Sequence, residues 1–98
     1  MANDLYNLVK NYKLTVYDKD EDIQVGLLRF EDPPLGEAFM FKFDTEKPRS
    51  FHTMGMKFNI DIYFFNEKKE LVYQKLNCNT GLLINCVKPA KYVVEIPS

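Results

Sequence analysis

Over much of the chain apolar and polar residues alternate with period two, and the apolar positions favour β-branched and aromatic types. That is the pattern of half-buried strands. Tyr12, Leu14 and Val16 alternate with Lys13, Thr15 and Tyr17 in a first strand. The acidic run Asp18 to Asp22 then reads as a turn, with Asp20 placed to cap a short helix and the acids of its first turn complementing the dipole. Ile23, Leu27 and Phe30 fall at i, i+4 and i+7, one helical face, and Pro33-Pro34 must end the helix. Glu37 to Phe43 is the clearest strand, with Phe39, Phe41 and Phe43 on one face and Ala38, Met40 and Lys42 on the other. Burying those three rings contributes roughly 5–9 kcal/mol before the ordering entropy is subtracted.

Asp44 to Arg49 is expected to be a polar loop containing Pro48, and Ser50 to Met54 a short extended piece broken by Gly55. Ile60 to Phe65 is apolar on both faces except for Asp61, as a central strand would be. A hairpin turn at Asn66 to Glu70 returns the chain antiparallel through Leu71 to Leu76, and a loop follows at Asn77 to Gly81. Leu82 to Val87 and Lys91 to Ile96 read as the last two strands, separated by Pro89. Six or seven short strands with one short helix predict a mainly β fold, a compact antiparallel sandwich or a partly open barrel.

Composition narrows the classes. Ninety-eight residues make one domain, spanning 1–98. Hydrophobic residues at 46% and charged residues at 28% exclude a disordered chain. No apolar run approaches the roughly 20 residues of a membrane span, so no membrane role is expected. A net charge of -1 argues against a nucleic-acid partner. The first residues carry no basic, apolar or cleavable leader pattern, so the expected location is the cytoplasm. Cys78 and Cys86 are eight apart, which is neither a CxxC pair nor a zinc spacing. They read as two reduced, partly buried thiols, with a disulfide as the alternative.

Five segments carry a resemblance. Residues 25–29 (VGLLR), 36–43 (GEAFMFKF), 51–61 (FHTMGMKFNID), the turn after Phe65 and residues 89–97 (PAKYVVEIP) follow one another in the order and spacing of a known family. The chain resembles domain-of-unknown-function family 192 over about residues 13–97. The resemblance implies a compact, mostly antiparallel, jelly-roll-like β fold with one short helix, and no established activity. Asn59 stands where that family usually has proline, so the bend there must be held another way. Lys69 stands where the family has glycine; if the position is left-handed, lysine costs on the order of 1 kcal/mol. Family members often continue with a further strand. Its lack after Ser98 would leave a sheet edge open, or covered by Asp4 to Asn11 or by a second copy.

The candidate site residues are His52, Asp61, Arg29, Glu95, Thr53 and Gly55. His52 is the single histidine, suited to acid, base or ligand work. It also reads as an aromatic packing residue, because the family more commonly has tryptophan there. Asp61 interrupts an apolar strand and must be paired, hydrogen-bonded or neutralised: it reads either as a site residue facing a cleft or as a structural carboxylate held by N–H groups of the Met54 to Phe58 turn or by Arg29 or Arg49. Glu95 within Val-Val-Glu-Ile poses the same question, and Arg29 is the expected partner of one of these acids. Gly55 permits a positive φ or a ligand's close approach. A nucleophilic set of Cys86, His52 and Asp61 and a metal set of His52, Asp61 and Glu95 can both be written, but neither has a spacing signature. No cofactor or metal is therefore expected. Three functions remain open: a small-ligand-binding or accessory domain, which is favoured; a metal-assisted or acid–base hydrolase using His52 and Asp61; and an interaction module pairing through a sheet edge. The expected state is a monomer or weak homo-oligomer.

Overall fold

A computed structural model describes residues 3–98. In chain order the elements are helix α1 (Asp4–Val9), strand β1 (Lys13–Tyr17), helix α2 (Asp20–Val25) running into a 3-10 turn (Gly26–Arg29), and strands β2 (Glu37–His52), β3 (Ile60–Phe65), β4 (Leu71–Cys78) and β5 (Leu83–Pro97). The alternating segments thus form a mainly β fold, a single open sheet in the order β1-β2-β5-β3-β4. All pairings are antiparallel except β1 with β2. That pair is parallel because α2 and the 3-10 turn carry the chain back across the sheet between them, as a parallel connection requires.

The strands number five because two expected breaks are not breaks. The polar run 44–49 lies within β2, and Pro89 lies within β5. Backbone pairing needs no apolar side chains, so a ribbon of two strands can leave the core and keep its ladder. The break signals mark irregularities instead. The β2–β5 register shifts between Lys42 and Lys47 and again between Lys47 and Arg49, close to Pro48 and Pro89. A proline cannot donate to a ladder, and a bulge is where it can stand within paired strands. Beyond the shifts Phe51 pairs with Ile84, and its ring lies 5.7 Å from that of Phe41 and 5.8 Å from that of Phe64. The ribbon therefore bends back over the sheet face it came from.

Asp20 does not occupy the cap of α2. Lys19 does, without a side-chain hydrogen bond, and Asp20, Glu21 and Asp22 fill the first turn, where their charge complements the helix dipole. The expected apolar stripe is real. Leu27 is fully buried, and Ile23 and Phe30 pack beside it against Phe39, Phe41, Ile62 and Phe64. The helix is nevertheless interrupted at Gly26, whose φ of 50° and ψ of -134° are unfavourable for residues with a Cβ.

Asp4 to Asn11 covers a face, not an edge. Asn3 caps α1 by accepting from the Tyr6 N–H, and Leu5 and Val9 pack on Ala38, Phe65, Tyr92, Val94 and Ile96 on the sheet's second face. The Leu5 N–H donates to the Lys69 carbonyl and the Leu71 N–H to Asp4 Oδ2, tying α1 to the β3–β4 turn. The bend at Asn59 is held without proline. Its side-chain N–H donates to Asn77 and Asn79 at 3.3 Å each, and its carbonyl accepts from Ser98.

Lys69 has φ 66°, in the left-handed region. Lys69→Gly removes the Cβ strain there, partly offset by the greater freedom of glycine in the unfolded chain. A gain of up to about 1 kcal/mol in urea denaturation is expected, with an unchanged m-value.

Candidate functional site

The bent ribbon and the α2 segment leave a cleft of about 580 Å³ between them. Its walls include Ile23, Leu27, Phe41, Phe43, Phe51 and Met56, with Lys47, Arg49, Ser50 and His52 along the ribbon and Glu95 from the sheet. That size and mostly apolar lining, with a few polar groups, suit a small molecule.

Glu95 stands on the central strand, in register with Phe39 on one side and Ile62 on the other. Both neighbours belong to the main core, so strand alternation sends the carboxyl into it. The residue is 1% exposed, and its Oε1 has no hydrogen-bond partner among the described residues. Burial pushes its pKa up to about 8, so the acid is neutral at pH 7 and can donate as well as accept.

Arg49 is the second polar group. Its Nε donates to the Ala90 carbonyl at 2.9 Å, its Nη2 donates to the Thr45 carbonyl, and the guanidinium carbon lies 3.6 Å from the Phe43 ring centroid. Loss of solvent lowers its pKa from the ordinary value. Neither ion pair among the described residues involves Arg49. Two of its five donors are committed to carbonyls, which holds the cation in place, and the others make no hydrogen bond among the described residues. The sequence offered Arg49 only as a partner for Asp61, which it does not pair with, and gave no sign of a place in the cleft. Only the bend of β2 and β5 brings it to a cleft wall.

The expected site residues divide. His52 and Glu95 line the same cleft, and His52 is exposed at its rim. Asp61 is in register with Ile96 and therefore lies on the sheet face opposite Glu95. Its Oδ1 accepts from the Asn77 N–H at 2.6 Å, anchoring the end of β4. Arg29 pairs with neither Asp61 nor Glu95. It donates to the Gly26 and Asp22 carbonyls, lies 3.7 Å from the Asp22 carboxylate and stacks 4.5 Å from the Tyr17 ring centroid. That set clamps α2 to the 3-10 turn and so shapes one cleft wall.

Thr53 is buried, its hydroxyl donating to the Asn79 carbonyl and accepting from the Leu82 N–H. It ties two loops together. Gly55 has φ 83°, and a Cβ there would sit 3.2 Å from Leu28, so it serves a tight bend against the 3-10 turn. Cys78 and Cys86 are free and buried, and burial raises both thiol pKa values. Among the described residues no three His, Cys, Asp or Glu side chains cluster as metal ligands would.

The buried acid sets a pH dependence. A carboxyl that titrates near 8 when folded and near 4.3 when unfolded binds its proton more tightly in the native state. Its contribution to stability is full below the unfolded value and is lost as pH rises toward 8. Between pH 5 and 8 the wild type should lose stability relative to Glu95→Gln, by up to about 1.4 kcal/mol per pH unit, in denaturant titrations. A parallel pH course for the two proteins would mean that Glu95 ionises normally.

Two solved structures share the fold. One is a protein from Sinorhizobium meliloti proposed as a transcription regulator, with a TM-score of 0.79 and 15% identity over 87% of this chain. The other is a protein of unknown function from Novosphingobium aromaticivorans, with a TM-score of 0.80 and 15% identity over 89% of this chain. This chain spans 67% and 64% of their lengths. No curated protein matches it in sequence. Among the described residues no helix is long and apolar enough to cross a membrane. The model of DUF192, described as "Uncharacterized ACR", matches residues 4–98, essentially the whole chain, and the protein belongs to that family.

Proposed function

We propose that this chain is a small-ligand-binding domain whose site is the cleft between the α2 segment and the bent β2–β5 ribbon. The observation that carries this reading is the Glu95 carboxyl, buried in the centre of the sheet and bordering that cleft, with its Oε1 unpartnered among the described residues. A buried polar group with no partner costs about 1–3 kcal/mol, and the strand position it occupies would suit an aliphatic residue. A ligand that hydrogen-bonds to the carboxyl offsets that cost. The apolar walls then supply affinity through burial, and the fixed Arg49 supplies orientation.

Two measurements test the reading. Glu95→Leu should raise the melting temperature of the free protein by several degrees, because it replaces an unsatisfied polar group with an apolar one of similar size. In a thermal-shift panel of sugars, nucleotides and small metabolites, at least one compound should stabilise the wild type and fail to stabilise Glu95→Leu. A destabilised Glu95→Leu variant, together with no response anywhere in the panel, would refute the proposal.

A further inference from the structure

The polar groups around the cleft are unequal in charge, and that imbalance selects a ligand class. Arg49 and Lys47 are the cations that line it, and Glu95 is the one carboxyl. Glu95 is enclosed and its Oε1 has no partner among the described residues, so it meets the cleft as a neutral donor and acceptor. No other acid lines the cleft; Asp20, Glu21 and Asp22 belong to α2 but are absent from its walls. The site therefore presents positive charge on the ribbon and a neutral hydrogen-bonding group on the sheet.

The guanidinium is already organised for an anion. Two donors hold it to the Ala90 and Thr45 carbonyls, and the Phe43 ring supports its face. A planar fork fixed in this way loses little freedom when a carboxylate docks on its remaining donors. Phe41, Phe51, Leu27 and Met56 offer an apolar surface for the rest of such a molecule. The Met56 thioether can adapt to more than one shape.

Resting on the small-ligand reading above, we propose that the cleft takes a small organic acid: a carboxylate on Arg49, an uncharged acceptor such as a ketone or hydroxyl on Glu95, and an aromatic or aliphatic body against Phe41, Phe51 and Met56. A compound of a dozen or so heavy atoms fits within 580 Å³. Sugars lack the charge, and a cationic amine would face the two basic side chains.

Three probes of similar shape, all keeping the aryl ketone, decide the class: 3-benzoylpropionate, 3-benzoylpropionamide and the cationic amine 4-(dimethylamino)butyrophenone, each titrated into isotope-labelled full chain and followed by NMR. The acid should shift the resonances of Phe41, Phe51 and Arg49, with an affinity at least tenfold above that of the amide and the amine. Arg49→Gln should bring the acid down to the level of the amide and leave the amide unchanged. If that variant does not fold, the wild-type ranking alone decides. Cleft shifts with the amide or the amine as strong as with the acid would overturn the organic-acid assignment and leave the ligand-binding reading in place. No cleft shift with any of the three would overturn the organic-acid assignment. A silent thermal-shift panel is the separate result that counts against ligand binding itself.

Discussion

Pairing between β2 and β5 is the constraint on which the other parts of the molecule depend. The two longest strands are joined from Phe39 to His52 on one side and from Leu83 to Glu95 on the other. Their inner halves form the middle of the sheet, flanked by β1 and β3. Their outer halves leave the sheet as a polar ribbon. The register shifts near Lys47 release that ribbon from the sheet's plane, because unequal lengths of backbone must be accommodated on the two strands. Without the shifts Phe51 could not return to the rings of Phe41 and Phe64, and there would be no second wall opposite α2.

The aromatic residues turn this geometry into a rigid site. Tyr17, Phe39, Phe41, Phe51, Phe64 and Tyr73 form a continuous series of ring contacts with centroids 5.6–6.1 Å apart. Offset and edge-on contacts of this kind add specificity of geometry to the burial of apolar area. They run from β1 across the sheet to β4, so the cleft's apolar wall continues the core. Glu95 stands within this apolar surround, which is why its carboxyl is costly when alone and effective when a ligand answers it.

Much of the fold was legible because it depends on short-range pattern. Period-two alternation marked the strand from Glu37 to Phe43, a short run apolar on both faces marked the strand from Ile60 to Phe65, and the polar turn at Asn66 to Glu70 marked its return from Leu71. The i, i+4, i+7 stripe marked the helical face of Ile23, Leu27 and Phe30. The polar run 44–49 and Pro89 misled for a definite reason. Polarity and proline report loss of burial and loss of a donor, and a ribbon that has left the core can tolerate both while still paired. The parallel pairing of β1 with β2 left no local trace either.

What the sequence by itself determined, then, was the strand-forming segments and the helical stripe after Asp20, the mainly β class, family membership and the presence of acids in apolar strands. Those properties reside in neighbouring residues and their spacing. Only the tertiary structure decided which acid was satisfied. Asp61 and Glu95 interrupt apolar strands alike, yet one meets the Asn77 N–H on the far face, and the other faces the core beside a cleft. The register of β3 against β5 makes that difference, since adjacent positions on a strand point to opposite faces. Arg49 entered the cleft by the same kind of long-range geometry, through a bend shared by two strands about 40 residues apart in the chain.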